Sequence, residues 1–156
     1  MNEDSIEMIP EELLMSKIYL IRNMKVMLDM DLAELYGVET KQLKRAVRRN
    51  GKRFPPDFMF ELSQKEFENL RRHFGTSSWG GLRYPPMAFT EQGVAMLSSV
   101  LSSDRAIAVN IQIIRIFARM REMLLAHKDL IEKFVQLEQK LSDHDDKILL
   151  IFEYLR

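Results

Sequence analysis

No cysteine occurs in the 156 residues, which excludes disulfides and thiolate metal ligands and suits a reducing compartment. No secretion signal is expected either. The opening MNEDSIEMIPEELL is acidic and lacks the basic start and apolar stretch that export requires. The most apolar run, AIAVNIQIIRIFA at 106–118, is too short to span a bilayer and carries Asn110, Gln112 and Arg115. These absences predict a soluble, cytoplasmic protein. Net charge is absent as well, with 23 bases against 23 acids, so the domain-wide basicity of many nucleic-acid binders is not there. An apolar fraction of 46% is ordinary for a chain that buries a core. The length allows one domain with an appendage.

The zero sum hides an uneven distribution. Residues 1–39 hold nine acids and three bases, a balance of −6. Residues 40–53 hold seven bases (Lys41, Lys44, Arg45, Arg48, Arg49, Lys52 and Arg53) and no acid. The remainder is close to neutral. A docked polyanion responds to the local field rather than to the total, so residues 40–53 are the first candidate for function.

Patterning along the chain predicts an α+β fold. IYLIRNMKVML (18–28) reads as a β-hairpin turning at Asn23-Met24, without the Asn-Gly that favours such turns. Asp29 or Asp31 is the expected cap of a short helix carrying Leu32, Ala33 and Leu35, ended by Gly37. A second helix is expected from Thr40 to Asn50, with Leu43, Ala46 and Val47 as its buried stripe. DFMFEL (57–62) alternates like a strand. Ser63 and Glu66 have capping-box spacing ahead of a helix to Phe74. LRYPPMAF (82–89) is expected at a sheet edge because Pro85 and Pro86 cannot donate to a ladder. Thr90 is the expected cap of a helix to about Leu101, and Asp104 that of a long helix apolar nearly all round, read as the central core helix. Methionines 24, 27, 30 and 120 fall where adaptable core filler belongs.

Ala33, Gly37, Leu43 and Ala46 meet the spacing of a helix-turn-helix: a small residue at the crossing, glycine at the turn, and apolar residues pinning the second helix. Burying that stripe leaves Thr40, Lys41, Lys44, Arg45, Arg48 and Arg49 outward, the composition of a helix that docks in a major groove, with Lys52 and Arg53 following. A charge run is more often a plain solvated face, but here no acid compensates it and it coincides with the helix-turn-helix. A second candidate is TSSWGGLRY (76–84). Hydroxyls of Ser77 and Ser78 and glycine N–H groups suit phosphate, Arg83 supplies charge, and Trp79 is either a core anchor or a DNA contact.

Three blocks carry a family resemblance. KVMLDMDLAELYGVETKQLKRAVRRNGKRFPPDFMFELSQKEFENL, TSSWGGLRYPPMAFTEQGVAMLSSVL and RAIAVNIQIIRIF resemble, in order and spacing, the KilA-N-type DNA-binding domains of phages, bacteria and large DNA viruses. Within that group they are most similar to the branch named after the N-terminal domain of a phage "open reading frame six" product. The resemblance covers about residues 17–120 and departs from the family at Asn23-Met24, where a glycine-containing turn is usual. It implies a compact α+β domain that binds double-stranded DNA in a bacterial cell, at the nucleoid when bound. Such domains are often carried by prophages as transcriptional regulators or antirepressors. The family's basic helix falls on residues 40–53 and its TSSWGG loop on residues 76–81.

Outside the resemblance, Ile116, Met120, Met123, His127, Leu130, Phe134, Leu137, Leu141, His144, Ile148, Ile151 and Leu155 follow at alternating steps of four and three, a heptad repeat. With His127 at position a, Lys133 faces Glu138 and Lys140 faces Asp145 in a parallel pair, whereas an antiparallel pair opposes like charges. The division expected is an acidic N-terminal arm (1–16), a DNA-binding domain (17–120) and a parallel coiled-coil helix (121–156), most simply dimeric. No catalytic, metal or cofactor constellation is apparent. His73, His127 and His144 are scattered, and Ser142-Asp143-His144-Asp145-Asp146 diverges around a helix. The leading rival is a protein-interaction module whose coiled coil recruits a partner such as a repressor; a nuclease is the other.

Overall fold

The computed structural model describes residues 8–74 and 84–138. The order is α1 (Glu11–Ser16), β1 (Tyr19–Ile21), β2 (Met24–Leu28), α2 (Asp29–Tyr36), α3 (Thr40–Arg49), a 3-10 turn (Gly51–Arg53), β3 (Met59–Glu61), α4 (Gln64–Phe74), β4 (Met87–Phe89), α5 (Glu91–Leu97) and α6 (Asp104–Glu138). It is an α+β fold followed by a long C-terminal helix. Residues 1–116 and 117–156 form separate compact units, and the sheet lies in the first.

The four strands are antiparallel in the order β1-β2-β4-β3. Met27 pairs with Phe89 and Leu28 with Ala88, and across β4 Phe60 also pairs with Ala88. Val26, Met27 and Leu28 are all fully buried, as are Met87, Ala88 and Phe89. Both faces of the two inner strands are therefore covered, so neither strand shows the alternation of a half-exposed sheet. On one face Val26, Leu28, Phe60 and Ala88 cluster with Phe67 and Leu70 of α4. Met27 is fully buried and Met24 and Met30 pack at the cluster's margin, as their positions predict.

The hairpin turns one residue earlier than Asn23-Met24. Ile21 pairs with Met24, so the turn residues are Arg22 (φ 54°) and Asn23 (φ 62°), the geometry of a type I′ turn. Asparagine tolerates the left-handed region, whereas arginine does not favour it. Compensation comes through the Arg22 side chain. Its Nε and one terminal nitrogen donate to both Glu66 oxygens at 2.8 and 2.9 Å, and its guanidinium lies 4.2 Å above the Phe60 ring. Glu66 also closes the predicted capping box, accepting from Ser63 N–H at 2.8 Å while Ser63 Oγ accepts from Glu66 N–H at 3.1 Å. The Arg22 and Ser63 bonds hold its carboxyl down at about 2.

Several other expectations are corrected. β4 is an inner strand, because Pro85 and Pro86 precede it, and the Pro86 carbonyl still accepts from Leu62 N–H at 2.9 Å. The helix after Thr90, which does cap through Oγ1, stops at Leu97. At α6 the cap is Ser103, whose Oγ accepts from Ala106 N–H at 3.1 Å, not Asp104. α6 is not buried all round: Ala106, Val109, Asn110 and Ile113 turn inward, while Ile107 and Ile111 are exposed. Asn110 donates to Val94 O (3.2 Å) and Ser98 Oγ (2.8 Å) and accepts from the Tyr36 hydroxyl, joining α2, α5 and α6. Ile9, ahead of α1, exchanges backbone bonds with the Gln112 amide at 3.2 and 3.1 Å.

Gly93 sits where α5 crosses the backbone before β3. A Cβ there would lie 2.0 Å from the Phe58 carbonyl oxygen, while one on Gly51 meets nothing within 4 Å. Gly93→Ala is expected to destabilise by roughly 2–4 kcal/mol in urea unfolding through forced backbone displacement. Gly51→Ala should stay within about 0.5 kcal/mol.

Asp31 is buried, with Lys17 Nζ 3.7 Å from one oxygen. Burial raises its pKa to about 6 against the pull of Lys17, with help from Glu34 and Asp29. The folded chain thus retains a proton that the unfolded chain releases, and stability falls as pH rises from about 4 to 6, by on the order of 2–3 kcal/mol. Glu66 acts oppositely: its contribution is present above the ordinary carboxylate range and is lost as pH falls towards about 2. Asp31→Asn should flatten the decline between about pH 4 and 6, read from urea midpoints across that range.

Candidate functional site

α2 ends at Gly37, whose φ of 75° is the left-handed conformation glycine adopts without cost, and Val38 N–H closes the end by donating to Ala33 O at 2.9 Å. Arg105 Nε donates to Leu35 O at 2.9 Å, satisfying a second terminal carbonyl. Asp29 and Asp31 are not N-caps. That position is Leu28, and the two aspartates occupy the first turn. Ala33 is buried, and Leu43 and Val47 anchor α3, whereas Ala46 is only half-buried. α3 starts after Glu39 and stops at Arg49, so Lys52 and Arg53 stand on the following 3-10 turn.

The outer face of α3 forms one wall of an open groove of about 810 Å³, lined by Thr40, Lys41, Lys44, Arg45, Arg48, Arg49 and Tyr84. Six of these are the helix residues anticipated from the sequence, and among the described residues no acid contributes to the lining. Lys41, Arg45, Arg48 and Arg49 are exposed. Arg48 and Arg49 occupy the last turn, where their charge complements the helix dipole. Lys52 and Arg53 are exposed but lie outside the groove lining. Ser77, Ser78, Trp79 and Arg83 fall outside the described residues.

Lys44 differs from its neighbours. Its side chain is only 11% exposed, so it does not stand outward as the helical pattern predicts. Nζ lies 3.4 Å from Asp29 Oδ2, donates to Pro85 O at 3.0 Å, and sits 5.8 Å from the centre of the Tyr84 ring. Asp29 is buried, and accepts from Met30 N–H at 2.7 Å and Met87 N–H at 3.0 Å. Burial pushes its pKa up; the Met87 N–H, Lys44 and the Met30 N–H oppose the shift without cancelling it. One carboxylate thus connects the start of α2, the start of β4 and the middle of α3.

Two members of the site escaped the sequence reading. Tyr84 lies in the segment singled out, but its serines, tryptophan and arginine drew attention there, and its place opposite α3 depends on strand pairing. Asp29 reads locally as a helix-start acid, and nothing in its neighbourhood marks a partner fifteen residues away on α3.

A family model, the ORF6N domain, matches residues 16–100, more than half of the chain. The chain belongs to the ORF6N domain family. The matched region of this phage-type regulatory domain runs from the end of α1 to just beyond α5, and so contains α2, α3, the groove lining and all four strands, with α6 beyond it. No curated protein and no solved structure matches the chain. Among the described residues no helix is long and apolar enough to cross a membrane, and no three His, Asp or Glu side chains come together to hold a metal ion.

The expected asymmetry within the groove is measurable. Lys44→Ala should cost about 2–4 kcal/mol in thermal or urea unfolding, because it leaves a buried carboxylate without its counter-charge. Arg45→Ala and Arg48→Ala, which remove exposed cations, should each stay within about 0.5 kcal/mol.

Proposed function

We propose that this ORF6N chain is a sequence-specific double-stranded-DNA-binding regulator of phage type, acting in the bacterial cytoplasm with α3 laid in the major groove. The observation that carries the reading is the groove along α3: cations line it, no acid among the described residues does, and four of its cations are exposed. Helix cations of this kind seat a duplex through its phosphates, while residues facing the bases discriminate sequence. Membership of a phage-type regulatory family supports the same reading.

Pairing of two chains through a parallel coiled coil completes the proposal, since two recognition helices on one duplex convert weak half-site binding into useful affinity. It is supported by the heptad spacing. α6 is helical through the seam positions Met120, Met123, His127, Leu130, Phe134 and Leu137, of which Met123 and Leu137 are exposed. Leu141, His144, Ile148 and Ile151 lie outside the described residues. The rival reading, a coiled coil that recruits a partner protein with an idle basic patch, requires that no duplex be bound at any salt.

Fluorescence anisotropy with a labelled duplex across a salt series tests this. With about four cations per protomer on phosphates, log K should fall against log salt with a slope near −4 per protomer, at about −0.9 per contact. The double variant Arg45→Ala, Arg48→Ala should lose most of the affinity and about 2 units of slope while keeping its unfolding midpoint. Sedimentation equilibrium on the same samples should read a mass twice that of the 18.4 kDa chain. Affinity independent of salt would refute the DNA reading.

A further inference from the structure

Within the basic face of α3, one cation is committed elsewhere. Lys44 carries three N–H donors. One side of its ammonium faces Asp29 Oδ2 at 3.4 Å, another the Pro85 carbonyl at 3.0 Å, and the Tyr84 ring lies beyond at 5.8 Å. Swinging Nζ out to a phosphate would leave the buried Asp29 carboxylate without its counter-charge. Its charge, moreover, is opposed at short range by Asp29, so little of its field reaches a polyanion in the groove.

Tyr84 is the counterpart. It is 58% exposed, lines the groove opposite α3, and carries no charge. Its backbone is fixed on the C-terminal side, since Pro85 O receives Lys44 and Met87 N–H is held by Asp29 before entering β4. Among the described residues the rest of the lining is cationic, apart from Thr40. Contacts from cations to phosphates position a protein without telling one sequence from another, whereas apolar contact with a base edge, such as the 5-methyl of thymine, does discriminate.

We infer that Lys44 and Asp29 are a positioning pair that makes no phosphate contact and holds Tyr84 against the recognition helix, where the Tyr84 ring reads a base edge. The inference rests on the DNA-binding reading and assigns separate work to residues that this reading treats alike. Lys41, Arg45, Arg48 and Arg49 supply the salt-dependent affinity; Lys44 and Tyr84 supply discrimination.

The full chain is titrated across salt with a duplex it selects from a random pool, and with a scrambled version of that duplex. Arg48→Ala should lower the salt slope by about 0.9 on both duplexes. The paired substitution Asp29→Asn, Lys44→Gln removes both charges together, although the Asn amide nitrogen cannot accept from both Met30 and Met87 N–H, so its unfolding midpoint is read alongside. It should leave the slope unchanged yet reduce the ratio of selected to scrambled affinity by about tenfold or more. Tyr84→Ala, at an exposed position, should do the same with an unaltered unfolding midpoint, while Tyr84→Phe keeps the ratio. The assignment is overturned if Asp29→Asn, Lys44→Gln lowers the slope as Arg48→Ala does, or if Tyr84→Ala preserves the ratio. Wild-type protein that binds neither duplex overturns the DNA reading itself, and this assignment with it.

Discussion

The Asp29 carboxylate is the point on which the arrangement of the groove depends. It sits at the junction of β2 and α2, is almost wholly out of solvent, and spends its acceptor capacity on three different elements: the first turn of its own helix, the first residue of β4, and Lys44 in α3. A buried carboxylate is tolerated only when surrounded by donors, so each of those donors is constrained in return. The strand-to-helix corner, the inner strand and the basic helix are thereby held in one geometry. The burial-driven upward shift of its pKa is the cost of putting a charge there.

Around that point the domain relies on close approaches. Gly37 turns the chain between α2 and α3, and Gly93 lets α5 pass over the Phe58 carbonyl. Tyr36 and Asn110 place a polar contact in the core where α2, α5 and α6 meet, and Arg105 closes the end of α2. The helical pair is therefore not an isolated module resting on the sheet. Its first helix is bonded at its N-terminal end to β4 and at its C-terminal end to α6, and α3 is tied to the same point through Lys44.

Much of this was legible in the sequence, for reasons that differ by element. The capping box at Ser63 and Glu66, the turn at Gly37 and the stripe of Leu43 and Val47 are short-range signals, and the structure realises each. The run of cations free of acids located the groove because charge pattern needs no knowledge of tertiary pairing. Where the reading failed, distant partners decided. Pro85 and Pro86 suggested an edge, yet β4 lies between β2 and β3 because the prolines fall before the ladder begins. Arg22 accepts a left-handed turn position because Glu66 and Phe60 hold its guanidinium, a compensation invisible from two residues away. Lys44 fits the outward pattern of α3, and only the arrival of Asp29 and Pro85 turns it into a buried partner.

The pairing of Met27 with Phe89 joins segments far apart in the chain, with α2, α3, β3 and α4 between them. Closing so long an interval carries an entropic cost that local helix formation does not. The two helices and their glycine turn need only neighbours to form; the facing side of the groove, at Tyr84, needs that closure. A nascent chain that has made α3 but not yet β4 therefore displays its cations on a helix with no facing wall, and the concave groove comes into being only with the last strand of the sheet.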